Sequence, residues 1–438
     1  MDSLSRRLHA PGFFHVPAKP EAEAAGYLRY SPTKGLSLHL VGALGDERSC
    51  LGSRGSDSCP LLIGTVQAKG LGSHVLLADS LCTGSSISMP GFAVERYEPA
   101  SALLSNEPLS DFDHPWPAAS IGLSGLWEWT RPGRPALFSH TRDDLIQGVN
   151  IERSRELCKV VSVFGMAGFQ LHSHQTSTWQ SFQIAEIARL SLELSSSTAA
   201  KTVLEESVAP FQDFVSLVTG QPSAITDVAL SDLSARLQAH LLYNRVFAPP
   251  RRRIERSAFE ILLPFTALSV EQWEAFVRSW LDFRVTHRAF CGAFFGSDYA
   301  KIPYVELRFI SASRAVRLLA AHEANSTGAL AGVGSPRPTS SEPLSDALRA
   351  FLMPYSPAMT NLIPDIETFV EQADVWTVEL ERPDRVGRIN SVALHWYTET
   401  LRMALRLWMI LRFQPEAASF LESSSEVQRL RTRSSAMS

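Results

Sequence analysis

The chain is poor in the residues that most directly advertise a function. Its five cysteines, Cys50, Cys59, Cys82, Cys158 and Cys291, are odd in number, far apart and free of any C-x-x-C pair. Neither a zinc site nor a disulfide framework is suggested, and a reducing compartment fits. Long apolar runs are missing too. The most apolar late stretch, Met403 to Leu411, is short and interrupted by Arg406, so no membrane span is expected. The N-terminus, MDSLSRRLHAPGFFHVP, has arginines but no apolar core of a secretory signal, which points to a cytoplasmic protein. Basic charge is not in excess: 41 Lys and Arg face 45 Asp and Glu, a net charge of −4, so any nucleic-acid contact must come from local patches. The P-loop, G-x-G-x-x-G, H-E-x-x-H and G-x-S-x-G patterns are all lacking, which removes the motif basis for ATPase, dinucleotide, zinc-protease and α/β-hydrolase chemistry. No cofactor is implied.

What is present is a chain of 438 residues, 45% hydrophobic, enough for two or three domains with sizeable cores. The first part reads as β-rich. Gly26–Tyr30 and Leu36–Val41 alternate apolar and polar residues around a Ser31-Pro-Thr-Lys-Gly35 turn. Residues 61–63, 74–77, 120–129 and 159–171 are further strand-like runs, and 43–59 has the composition of a long loop. The segment 178–194 mixes strand and helix signals and is left unassigned. Past about residue 200 the period becomes helical: Val203–Val218, Ser269–Phe283 with a capping pattern at Ser269, Glu306–Ala324, Leu344–Leu352, Ile366–Ala373 and Arg388–Arg412. Residues 325–341 read as a linker and the tail from Ser423 as disordered. The expected fold is α+β: a domain over 1–300, β-rich to about 195 and then helical, an all-α bundle over 301–420, and a disordered tail over 421–438.

An arginine followed by a histidine with four to six residues between them occurs three times: Arg134–His140, Arg317–His322 and Arg388–His395. The first includes a proline in the β-rich half, and the second pair stands about 140° apart on an ideal helix. Arg388 and His395, two helical turns apart, are co-facial if one helix carries both. A fixed cation beside an imidazole suits metal-free RNA cleavage, the arginine holding phosphate and the histidine moving protons. Arg388, His395, Glu399, Arg402 and Arg406 gather opposite the apolar stripe of that helix, so this face either lines a cleft or interface, or is a solvated face held by Glu399 pairs. Other candidates are His172 and His174 as a strand-borne metal pair or a surface strand, the run Arg251–Arg256 near Arg245 as a phosphate patch or a charged turn, and Trp116, Trp127 and Trp129 as core aromatics or stacking platforms.

In Gly12-Phe-Phe-His-Val-Pro17, Gly26–Tyr30, Gly35–Gly42, Ile63-Gly-Thr65, Asp213–Thr219 and Trp273–Phe283 the chain resembles the ApeA family, prokaryotic antiphage proteins with a β-rich N-terminal domain and a C-terminal HEPN domain. Glu306–Ile310 resembles the start of the HEPN part, and Arg388–His395 falls where its R-x4-6-H motif belongs. Many active members carry a polar residue just after the arginine; here Ile389 stands there, and Asn390 follows. The resemblance implies a metal-independent endoribonuclease that cuts tRNA or mRNA on infection, works as a homodimer or larger homo-oligomer, and answers a phage-derived trigger. Arg388, Asn390 and His395 would form the catalytic group, with Arg402 and Arg406 as RNA contacts. The alternative it leaves open is a catalytically silent HEPN-fold module that dimerises and senses a phage protein or nucleic acid.

Overall fold

The computed structural model describes residues 3–44, 58–87, 91–130, 138–140, 146–149, 154–162, 165–178, 181–244, 260–300, 302, 304–328, 343–381 and 390–435. The chain forms two compact units that interleave in sequence. Met1–Ser124, Ile151–Ala209 and Ala224–Arg252 make a sheet unit, and Gly125–Asn150, Pro210–Ser223 and Arg253–Ser438 make a helical unit.

In chain order the strands are β1 (Leu8–His15), β2 (Ala24–Ser31), β3 (Gly35–Val41), β4 (Ser58–Ala68), β5 (Gly72–Ile87), β6 (Ala93–Glu98), β7 (Ser101–Ser105), β8 (Trp116–Leu123), β9 (Phe138–His140), β10 (Ile146–Val149), β11 (Ser154–Ser162), β12 (Gly165–Thr178), β13 (Ser181–Thr198), β14 (Ile225–Ser231) and β15 (Gln238–Tyr243). All except the small β9–β10 hairpin join one antiparallel sheet in the order β11-β12-β13-β8-β14-β15-β7-β5-β4-β1-β2-β3-β6. Because β6 also pairs with β5, the β5-β4-β1-β2-β3-β6 end closes into a barrel. Closure depends on β5 changing partner midway: Val75–Ala78 lie against β7, and Leu81 onward lies against β6. Between them Asp79 takes a φ of 50°, a left-handed bend that Asp tolerates better than most residues.

The alternation read in the sequence is what fills the barrel. Leu28, Tyr30, Leu36, Leu38 and Leu40 point inward from β2 and β3 while their neighbours face out. Gly12 and Gly26 face each other across β1 and β2. A Cβ on Gly12 would stand 2.1 Å from the Thr65 carbonyl oxygen and one on Gly26 2.4 Å from that of His39, so these strands approach more closely than any side chain permits. The unassigned segment 178–194 is almost wholly strand, as part of β13. Two short strands, β14 and β15, lie beyond residue 200 where only helix was expected, and the run 120–129 is strand only to Leu123, turning helical at Leu126–Thr130.

On β14, Asp227 is buried and clamps the N-terminus to the sheet. It accepts hydrogen bonds from the Ser3 hydroxyl at 2.6 Å and from Arg189, with His240 Nδ1 at 3.5 Å. Burial alone would raise its carboxyl, but the His240 bond, the Arg189 charge and the Ser3 bond outweigh that and hold it well below the usual carboxylate range. A depressed folded pKa stabilises the fold fully above the unfolded value of about 3.9 and is lost as pH falls through the folded one. The thermal midpoint should therefore drop as pH is lowered below about 4. In Asp227→Asn that slope should be shallower, as circular dichroism melts would show; an unchanged slope would exclude the clamp as its source.

The longer helices are α1 (Ala209–Thr219), α2 (Val270–Thr286), α3 (Arg288–Tyr299), α4 (Val305–Gly328), α5 (Leu344–Leu352), α6 (Ile366–Glu381), α7 (Ser391–Phe413) and α8 (Ser425–Ser435). The capping pattern at Ser269 is a full capping box with Gln272. An aromatic core knits the unit. Trp129, Phe214, Trp273, Phe276 and Trp280 contact one another at ring separations of 5.1–6.3 Å, and Trp129, Trp273 and Trp280 each donate an indole N–H to a backbone carbonyl. Trp129, and Trp116 in the sheet unit, are thus core residues; Trp127 is half-buried. The tail expected to be disordered is helical as α8, because Val427 and Leu430, three residues apart, are both buried. The linker reading begins too early, since α4 runs to Gly328; the loop read over 43–59 ends where β4 begins at Ser58, and residues 45–57 and 329–342 lie outside the described residues. Among the described residues no helix is long and apolar enough to cross a membrane.

Candidate functional site

The last long helix starts at Ser391, three residues later than its apolar period suggested. Asn390 is its cap: backbone φ −69° and ψ 92° are extended, and the side-chain Oδ1 accepts from the N–H groups of Val392 at 3.2 Å and Ala393 at 3.1 Å. Ending the helix there removes the premise of the co-facial argument, which needed helix back to Arg388. Arg388 and Ile389 lie outside the described residues. His395 sits in the second turn of α7, half-buried, with its ring edge-on to Trp396 at 4.9 Å; the Arg433 guanidinium of α8 covers that indole at 4.4 Å.

Of the two readings of the polar face, Arg402 and Arg406 do not fit the solvated one. From Thr400 to Leu411 every residue of α7 is buried, so the helix runs through the interior of its unit. Arg402 is 1% exposed and Arg406 5%. Both converge on one carboxylate, Asp298 at the end of α3: Arg402 Nη2 pairs with Oδ1, and Arg406 Nη2 with Oδ2 at 2.7 Å. Arg402 Nη1 also donates to the Ser297 hydroxyl at 2.6 Å, and both guanidiniums face the Phe294 ring. Burial lowers the Arg402 pKa, Asp298 counters it, and neighbouring Arg406 adds to the lowering. Glu399 pairs with Arg308 of α4 at 2.7 Å, and its charge also acts on Arg402 of its own helix.

Behind this cluster the end of α3 is held by a second buried network. Tyr299 donates to Asp213 of α1 at 2.8 Å, and Arg284 of α2 donates to the same carboxylate at 2.6 Å. Desolvation pushes Asp213 up to about 6 against the pull of Arg284. The arginines open onto a cavity of about 480 Å³ lined by Gln221, Ser297, Asp298, Arg308, Glu399, Arg402 and Arg406, with Glu426 and Arg429 of α8 at its side. Sequence reasoning missed Asp298, Arg308 and Arg429. The two arginines lie 104 and 108 positions from Asp298, and nothing local marks a partner at that distance.

Among the described residues no other sequence candidate is brought to this site. His172 and His174 lie on β12 as expected of a strand, but the side chain of His174 is outside the described residues, as are Arg245, Arg251–Arg256, Arg134 and the side chain of His140. His322 packs on His287 of the α2–α3 junction at 4.2 Å, while Arg317 lines an apolar groove between α4, α5 and α6. Among the described residues no group of three or more His, Cys, Asp or Glu side chains is arranged to hold a metal ion.

A closed barrel continuous with a long antiparallel sheet, combined with a helical unit carrying a histidine near a capped helix start and an arginine-lined cavity, defines a two-unit protein of α+β class. Residues 10–280, more than half of the chain, match the family model described as ApeA N-terminal domain 1. The chain belongs to the ApeA family, which places it among antiphage defence proteins. No curated protein and no solved structure matches it.

Proposed function

We propose that the chain is an abortive-infection effector whose helical unit is a HEPN endoribonuclease, cleaving tRNA or mRNA without a metal ion after a phage-derived cue. Two subunits would face each other across a two-fold, and their Arg388 and His395 side chains would share one cleft. Arg388 would hold the scissile phosphate. A 2′-hydroxyl then attacks that phosphate, the bond to the 5′-oxygen breaks, and His395 carries the proton, leaving a 2′,3′-cyclic phosphate and a 5′-hydroxyl. Asn390, also expected in the catalytic group, spends its side-chain oxygen on the helix cap. It would act by fixing where α7 begins and hence where His395 stands.

The observation that carries this reading is a half-buried histidine one turn inside a capped helix, in a chain of an antiphage family. The burial of Arg402 and Arg406 favours the second reading to the extent that it withdraws two cations from any RNA-facing surface: a helical module that dimerises and senses without cutting. Cells producing the protein and challenged with phage should accumulate RNA with cyclic-phosphate 3′ ends, and the purified protein should form the same ends in EDTA. Phage protection with no such ends would leave the sensing module.

A further inference from the structure

The cations expected to meet RNA, Arg402 and Arg406, are buried and paired, but another pair of arginines lies open on the helix that reaches His395. They stand on α8, in the tail. Val427 and Leu430 pin this helix, and Arg429 and Arg433, four residues apart, share one flank of it. Both side chains are exposed. Arg433 covers the Trp396 indole at 4.4 Å, and that indole meets the His395 ring at 4.9 Å, so a single ring joins the α8 cation to the histidine. A guanidinium in the last helical turn complements the helix dipole, and the indole takes its face. Neither uses its N–H edges: among the described residues Arg433 makes no hydrogen bond or ion pair. Arg429 is held by Glu426 of its own helix at 2.6 Å, an exposed pair of the weak kind that a phosphate can displace. Glu399, one turn beyond His395, is engaged by Arg308. The charge left over on this flank is positive.

We propose that the Arg429–Arg433 flank of α8 is the surface along which single-stranded RNA reaches His395, the two guanidiniums holding successive phosphates outside the scissile one. The inference rests on the proposed cleavage at His395 and adds where the substrate lies. Four helical residues rise about 6 Å, a step that the flexible backbone of an unpaired strand spans between phosphates. Arginine suits the task because its planar fork grips phosphate oxygens while its face stays on an aromatic ring. Sites that track a single strand have this chemistry, with cations following the backbone beside an aromatic side chain. The strand must then extend past His395 toward α8, so a substrate several nucleotides long gains contacts that a dinucleotide lacks.

The test measures binding of the full-length protein to a single-stranded oligoribonucleotide with methylated 2′-hydroxyls, which cannot be cut, over a range of salt. Each phosphate held on a single strand contributes about 0.7 to the slope of log K against log salt. Arg429→Gln combined with Arg433→Gln should therefore make the slope shallower by about 1.4 and weaken binding roughly 10–30-fold at about 0.1 M salt. Arg433→Lys keeps the charge and should keep the slope. Arg29→Gln, which removes an exposed arginine over the Tyr27 ring in the sheet unit, should bind as the wild type does. With cleavable RNA the double variant should raise KM and leave kcat within about twofold, a split that a folding defect would not give. An unchanged slope in the double variant, an equal loss in Arg29→Gln, or poly-glutamate bound as tightly as RNA would each overturn the assignment. The two readings fail separately. Cyclic-phosphate ends with an unchanged slope remove α8 and keep the cleavage; a slope that falls as expected with no such ends removes the cleavage and keeps α8 as an RNA surface.

Discussion

Asp298→Ala is expected to destabilise the helical unit by roughly 3–5 kcal/mol, among the largest effects a single substitution here can have. The side chain is small and the cavity left behind modest; the cost arises from charge. With the carboxylate gone, Arg402 and Arg406 remain buried beside each other, with Ser297 and the Phe294 ring in contact and Glu399, which is paired with Arg308, the nearby countercharge. Each must then lose its hydration without compensation or break out of the core. A control separates this cause from simple loss of contacts. Replacing all three residues together, as Asp298→Leu, Arg402→Met and Arg406→Leu, removes the charges in concert and should cost far less than the single change. Urea or guanidinium unfolding of the three proteins gives the comparison. A single-variant cost below about 1 kcal/mol would mean that water reaches the cluster and that the ion pairs are of the exposed, weak kind.

The same cluster shows where sequence reading stops. The hairpin of β2 and β3 was legible because alternation and a Pro-Gly turn report on one strand pair at a time, and the Ser269 capping box because its two partners are three residues apart. For Arg402 and Arg406 the cleft and solvated-face readings stayed open, because polarity on a helical wheel records chemistry and not environment. A buried ion pair and a solvated one look alike until the distant partner is known. The tail failed in the opposite sense: Val427 and Leu430 were too few to mark a helix in a polar segment, and packing decides such cases. β13 resisted assignment because Ile, Ala and Leu interspersed with polar residues along Ser181–Thr198 satisfy both periods, and pairing with β12 and β8 settles it. For the candidate site, the histidine and its helix were readable, while the start of that helix turned on whether Asn390 extends it or caps it. It caps it.

His395→Ala should abolish the toxic activity while leaving the fold intact, lowering kcat for RNA cleavage by about 10²–10⁴-fold if the imidazole carries the proton. The side chain is half-buried and near the helix start, so truncation removes little core packing; circular dichroism checks the fold, and light scattering compares its association state with the wild type's. Two further readouts distinguish proton transfer from positioning. An imidazole that moves the proton makes the wild-type rate depend on pH, and the variant should lose that dependence along with its rate. Binding of a non-cleavable RNA, with the 2′-hydroxyl replaced, should change little, because the proposed phosphate contact belongs to Arg388. Arg388→Gln should show the complementary pattern, with weakened RNA binding and the pH dependence of the residual rate retained. If His395→Ala cuts RNA at the wild-type rate in a folded oligomer, the histidine is not the proton carrier. If instead both variants lose phage protection in a protein that never yields cyclic-phosphate ends, the face at the start of α7 serves recognition, and the helical unit senses rather than cuts.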